Sequence, residues 1–208
     1  MSELRYTLVS DGPSDAMLLP VLDWILESHS SRLFVGRRAD LRNLRRPPTG
    51  LAERVRTAVE LHPCDLLFVH RDAERSDRAS RMHEIERQLA DAALTRWIGV
   101  VPVRMQEAWF LFDERALREA AGNPSGEAPL DLPALRRVEG VPNPKRLLET
   151  LLKKASGHGG RRLEKLRVGP MKYRVAALIA DYSPLRAVPA FASLEAEVER
   201  IVAERKWG

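Results

Sequence analysis

The chain has 208 residues, 44% of them hydrophobic and 30% charged, with a formal net charge of +5 at pH 7. That length supports one substantial core, and the absence of a long apolar run predicts no transmembrane helix. Cys64 is the single cysteine, which excludes internal disulfides and cysteine-based zinc sites and fits a reducing cytoplasm.

Leu4–Ser10 is rich in β-branched and aromatic residues and reads as a first strand. The turn DGPSD follows, with Ser14 or Asp15 placed to cap a helix running to about Ser28. Leu18, Val21, Leu22, Ile25 and Leu26 give that helix an apolar stripe, and Pro20 should kink it or delay its start. Arg32–Gly36 reads as a short second strand and Leu51–Leu61 as a second helix. Asp65–His70 is apolar on both faces, as a buried parallel strand requires. A charged amphipathic helix over Ser76–Ala93 leads into a fourth strand, Trp97–Val103.

This alternation predicts an α/β fold: a four-stranded parallel sheet flanked by helices, occupying residues 1–104. Beyond it the chain changes character. Met105–Gly122 reads as helical with a break near Asp113. The Pro- and Gly-rich stretch from Asn123 to Pro144 reads as a long surface loop. Helices are expected over Pro144–Ser156, Pro170–Tyr182 and Phe191–Lys206, with a flexible basic turn at GHGGRR. Residues 105–208 are therefore read as a C-terminal helical annex packed on the core, not an independent domain.

Positive charge is concentrated in two places. From Arg32 to Arg56 eight Arg face two acids, and from Lys145 to Arg174 ten Lys or Arg face two acids. Such excesses mark faces able to track phosphates, or simply solvated surface.

The acids carry the chemistry. Strands of a parallel sheet end on one edge, where ligands collect. Asp11 follows the first strand, and Asp72 and Glu74 follow the third. On extended backbone, side chains at i and i+2 project to one side about 6–7 Å apart. Glu107 lies just past the fourth strand. Gathered carboxylates repel unless a cation such as Mg²⁺ joins them; the competing arrangement pairs each acid with Arg71, Arg75 or Arg104, or uses it as a helix cap. No phosphate-binding P-loop, dinucleotide GxGxxG or GxSxG elbow is present, and the five His lack zinc spacing. A haloacid-type phosphatase would carry its paired acids after the first strand, and a receiver domain would need a Ser or Thr after the fourth.

The order of motifs, SDGPSD after the first strand and HRDAE after the third, resembles the TOPRIM fold over residues 4–104. HRDAE, PVRMQEAW, AGNPSG, NPK and DYSPLR are also similar to small bacterial TOPRIM-like proteins encoded beside ATPases in phage-defence islands. The resemblance implies a TOPRIM-like, Rossmannoid core. It places Asp11 at the family's glutamate, one methylene shorter, and Asp72 and Glu74 at the two metal-binding acids.

The activity so implied is a cytoplasmic, Mg²⁺- or Mn²⁺-dependent nuclease cleaving DNA or RNA. Asp11, Asp72 and Glu74 would hold the metal, with Asp11 as a general acid or base in an alternative role. Glu107 would complete the shell or orient water. Arg71, Arg104, Arg161, Arg162 and Lys172 would meet phosphates. The alternative is a non-catalytic subunit that binds nucleic acid or docks on an ATPase; Trp109, Phe110 and Phe112 are the candidate docking residues, with at least two of them expected in the core instead, and a homodimer through the annex is a further expected partner.

Overall fold

The computed structural model describes residues 3–90 and 97–208. Four strands form one parallel sheet: β1 (Leu4–Val9), β2 (Phe34–Arg38), β3 (Leu66–His70) and β4 (Trp97–Val100), in the order β2-β1-β3-β4. Leu4 pairs with Phe34, Tyr6 with Leu66, and Leu67 with Trp97. Tyr6 packs so closely under Gly36 that a Cβ there would come within 2.1 Å of the ring; glycine is the residue this crossing admits.

Alternation along each strand divides the sheet into two apolar faces. Leu4, Tyr6, Leu8, Phe68, Ile98 and Val100 join one cluster with α1 (Leu18–His29) and much of the second half of the chain. Val9, Leu67 and Val69 face the other way, onto α2 (Leu51–Leu61) and α3 (Arg78–Leu89). Helices thus cover both faces, as a parallel sheet requires. The expected helix over Ser76–Ala93 begins two residues later, with Asp77 as its cap, and its residues 91–93 lie outside the described residues.

Pro20 delays the first helix. A 3-10 turn, Pro13–Met17, precedes α1, and Pro20 sits in the first turn of α1, where an N–H has no intrahelical partner. β2 lies two residues beyond its expected position because Arg37 and Arg38 belong to it. It is an edge strand, and an edge tolerates charge that a central strand excludes.

After β4 the chain makes a 3-10 turn, Gln106–Phe110, and Asp113 then caps α4 (Glu114–Ala120) by accepting from the Ala116 N–H, the break expected there. Next come α5 (Pro144–Ala155), α6 (Gly160–Glu164), α7 (Val168–Leu178) and α8 (Pro189–Arg205). The stretch from Asn123 to Pro144 is not wholly a surface loop: Leu130 and Val138 are buried, and Leu135–Gly140 forms a 3-10 turn. Phe191, Leu194 and Val198 of α8 share the core cluster with α1 and the sheet. Among the described residues no helix is long and apolar enough to cross a membrane.

Candidate functional site

The strand order reverses direction between β1 and β3, since β1 leads outward to β2 and β3 leads the other way to β4. At such a switch point the loops leaving the two carboxyl ends diverge and open a crevice. Here the crevice is a cleft of about 310 Å³, lined by Asp11, Asp15, Asp72 and Glu74 together with His70, Arg71 and Arg81.

The loop after β3 continues alongside the segment after β4. Arg71 N–H donates to Val100 O (3.3 Å), Ala73 N–H to Pro102 O (3.0 Å) and Glu74 N–H to Arg104 O (2.9 Å). Both members of the last pair are non-glycine residues with positive φ, 55° at Glu74 and 61° at Arg104. The left-handed turn at Glu74 ends the extended geometry that would have set Asp72 and Glu74 side by side.

Asp72 turns inward. Its Oδ1 accepts from the Gln106 backbone N–H at 2.8 Å. Gln106, buried, also donates its side-chain amide to Asp15 Oδ1 at 2.7 Å, while Asp15 Oδ2 accepts from Gly12 N–H at 2.7 Å. One residue therefore holds two carboxylates that leave different strands. Burial pushes the Asp72 carboxyl up to about 6; the charges of Glu107 and Asp15 add to this, against the opposing influence of His70 and the Gln106 N–H. His70 Nδ1 donates to Val100 O at 2.8 Å, leaving Nε2 toward Asp72 Oδ1 at 3.6 Å.

Glu107 is buried behind this pair, and burial raises its carboxyl above the usual range, with Lys172 and Lys145 opposing and Asp15 reinforcing. Lys172 Nζ lies 3.9 Å from Glu107 and 3.0 Å from Glu149, and the residue is only 7% exposed. The expectation that Lys172 meets nucleic acid is thereby corrected: its charge is spent internally, because a buried ammonium requires carboxylate partners.

Asp11 and Glu74 belong to a second arrangement, an alternating chain of charges along the outer wall. Arg54 contacts Asp11 (2.6 Å), Asp11 contacts Arg71 (3.4 Å), and Arg71 contacts Glu84 (2.8 Å). Glu84 contacts Arg81 (2.5 Å), and Arg81 lies 3.8 Å from Glu74. Partial burial pushes the Asp11 carboxyl up, but the hydrogen bond from Arg54 and the charge of Arg71 outweigh it and hold the group below its usual range. Asp11, Asp72 and Glu74 thus line one cleft but do not form one cage. The acid that shares Gln106 with Asp72 is Asp15, which its sequence position suggests only as a helix cap. The available signal was a second acid in the same turn after β1.

Arg104 is exposed, and Arg161 and Arg162 are exposed on the short α6. Of the three aromatics, Trp109 and Phe110 are fully buried, the core fate expected for at least two of them, and Phe112 is partly buried against the same core, so they do not form an exposed docking surface.

The donor set fits a hard divalent ion. Asp15 and Asp72 are bonded to one residue, and among the described residues no guanidinium pairs either of them and the buried Gln106 Oε1 lacks a hydrogen-bond partner. Among the described residues no three His, Cys, Asp or Glu side chains are gathered in ligating geometry. Mg²⁺ keeps several waters and takes one or two carboxylates plus substrate phosphate, so a pair suffices. Comparison with known proteins adds no relative: no family model matches the chain, and no curated protein or solved structure matches it.

Proposed function

We propose that this protein is a Mg²⁺- or Mn²⁺-dependent nuclease, with Asp15 and Asp72 as the residues that hold the ion. The observation supporting this reading is the bridge through Gln106, which holds two carboxylates that no guanidinium pairs among the described residues at the switch point of the sheet. A structural role would be better served by pairing them with the arginines nearby, as Asp11 and Glu84 are paired.

When bound, the ion supplies an activated water and neutralises charge on the phosphate. The chain's own residues prepare the place. Gln106 fixes one oxygen of each carboxylate, and the other oxygen of Asp72 has no hydrogen bond among the described residues. Glu107 keeps the inner wall acidic, and Lys172 balances it from behind. Arg71 and Arg81 border the cleft, where a phosphodiester would exchange contacts with Glu84 and Asp11 for those with substrate. DNA and RNA share that phosphodiester, so both belong in the test, and a role in defence against foreign nucleic acid follows from the resemblance.

A second reading, a nucleic-acid-binding or ATPase-docking subunit without turnover, draws support from the closed pairing of Asp11 with Arg54 and Arg71. Incubation of purified protein with labelled DNA and RNA in Mg²⁺ or Mn²⁺ separates the two. Cleavage lost in Asp72→Asn and Asp15→Asn, with both variants folded, supports the nuclease. Cleavage by Asp72→Asn at the wild-type rate removes it, and binding without turnover by wild type favours the subunit.

A further inference from the structure

Beyond Arg81 the acid cleft opens into a second one, of about 360 Å³, which shares Glu74 and Arg81 with it. Arg75 and Arg104 line this second cleft, and Met105 and Pro142 give it apolar surface. Its charge is uneven: three guanidinium groups face the single carboxylate of Glu74. Arg81 is the terminal cation of the charge chain, and its buried Nε has no hydrogen-bond partner among the described residues. Arg75 and Arg104 are exposed, and neither makes an ion pair among the described residues.

The backbone holds these groups in place at a cost. Glu74 and Arg104 both adopt left-handed φ, and the Glu74 N–H donates to Arg104 O. Non-glycine residues in this region are strained and persist where the surroundings require them. Here two such residues are joined by a backbone hydrogen bond; Glu74 lines both clefts and Arg104 the second.

We infer that this second cleft is a binding subsite for the nucleotide adjoining the phosphodiester in the acid cleft, with Arg75, Arg81 and Arg104 taking its phosphate and Met105 and Pro142 its sugar or base. The inference rests on the nuclease reading for the identity of the strand, but its geometry stands separately. Guanidinium groups bind phosphate oxygens through paired N–H donors, and apolar surface beside them favours a nucleotide over bare phosphate. Arg75 and Arg104 are free to turn toward a strand, whereas Arg71 must first release Asp11 and Glu84.

The test is binding of fluorescein-labelled octathymidylate in EDTA, read by anisotropy, so that turnover plays no part. Arg75→Ala/Arg104→Ala is compared with Arg200→Ala/Arg205→Ala, which removes equal charge from the end of α8. That end adjoins the opposite edge of the sheet, where Trp207 stacks on Phe34, the first residue of β2. The cleft double variant should bind at least tenfold more weakly, and the slope of log affinity against log salt should flatten by about 1.4, the value for two single-strand phosphate contacts. The α8 variant should bind within threefold of wild type. Equal loss in both variants, no loss in the cleft variant, or no binding by wild type would each overturn the subsite. Selective loss without any cleavage in Mn²⁺ would leave the subsite standing and remove the nuclease.

Discussion

The Gln106 side-chain amide donates to Asp15 Oδ1 at 2.7 Å across 91 residues of sequence, while its backbone N–H donates to Asp72. Two carboxylates that should repel are both held by one buried residue, Asp15 through its side-chain amide and Asp72 through its backbone N–H. Gln106→Leu removes the side-chain bond and leaves a buried carboxylate short of a donor. It should destabilise the fold by about 1–3 kcal/mol, read as a lower urea midpoint with unchanged slope, and it should weaken Mn²⁺ binding as well.

Asp72→Asn should do the opposite to stability. A carboxyl raised to about 6 in the fold, against 3.8 in the open chain, favours the folded state only while protonated. That contribution is fully present below the unfolded value and is lost as pH rises through about 6. At pH 7 the ionised group therefore costs up to about 3 kcal/mol, which the amide avoids while still accepting from Gln106. Thermal denaturation at pH 7 without metal should show a higher Tm for Asp72→Asn than for wild type. A lower Tm would mean that the ionised carboxylate is stabilised by a partner the geometry does not show.

Asp11 should behave unlike Asp72. Its oxygens are taken by Arg54 and Arg71, so Asp11→Asn should change Mn²⁺ affinity less than threefold while altering nucleic-acid binding through the freed arginines. An effect on metal affinity as large as that of Asp72→Asn would return Asp11 to the ion's shell.

Acid lability should come partly from the far side of the sheet. Glu195 on α8 is buried; that burial alone would raise its carboxyl, but hydrogen bonds from Arg186 (2.8–3.1 Å) and His29 (3.0 Å) outweigh it and hold the group below its usual range. A depressed folded value contributes stability above the unfolded value near 4.5, lost as pH falls through the folded one. Arg186→Ala removes the main partner, and its Trp24 stacking at 5.3 Å. It should lower stability at pH 7 by about 1–3 kcal/mol and flatten the loss of stability between pH 5 and pH 3, as followed by circular dichroism.

Local physics explains what was legible in the sequence. Leu66–Val69 is apolar on both faces because helices cover both, and that pattern is visible in four residues. The acids after β1 and β3 could be placed on one rim because parallel strands share an end. Their partners could not. Asp15 meets Gln106, and Lys172 meets Glu107, only when the annex folds back on the core. A Lys in a basic segment looks like surface until its carboxylates are located. Glu74 escaped the i, i+2 rule because a single left-handed residue, unmarked by glycine, ended the extended run.

The most direct measurement is calorimetric titration of Mn²⁺ into wild type, Asp15→Asn, Asp72→Asn and Asp11→Asn. One site with micromolar to millimolar affinity in wild type and in Asp11→Asn, weakened more than tenfold in the other two, is the predicted result. Equal binding by all four proteins, or none by wild type, would contradict the assignment of the Asp15–Asp72 pair as the seat of the ion.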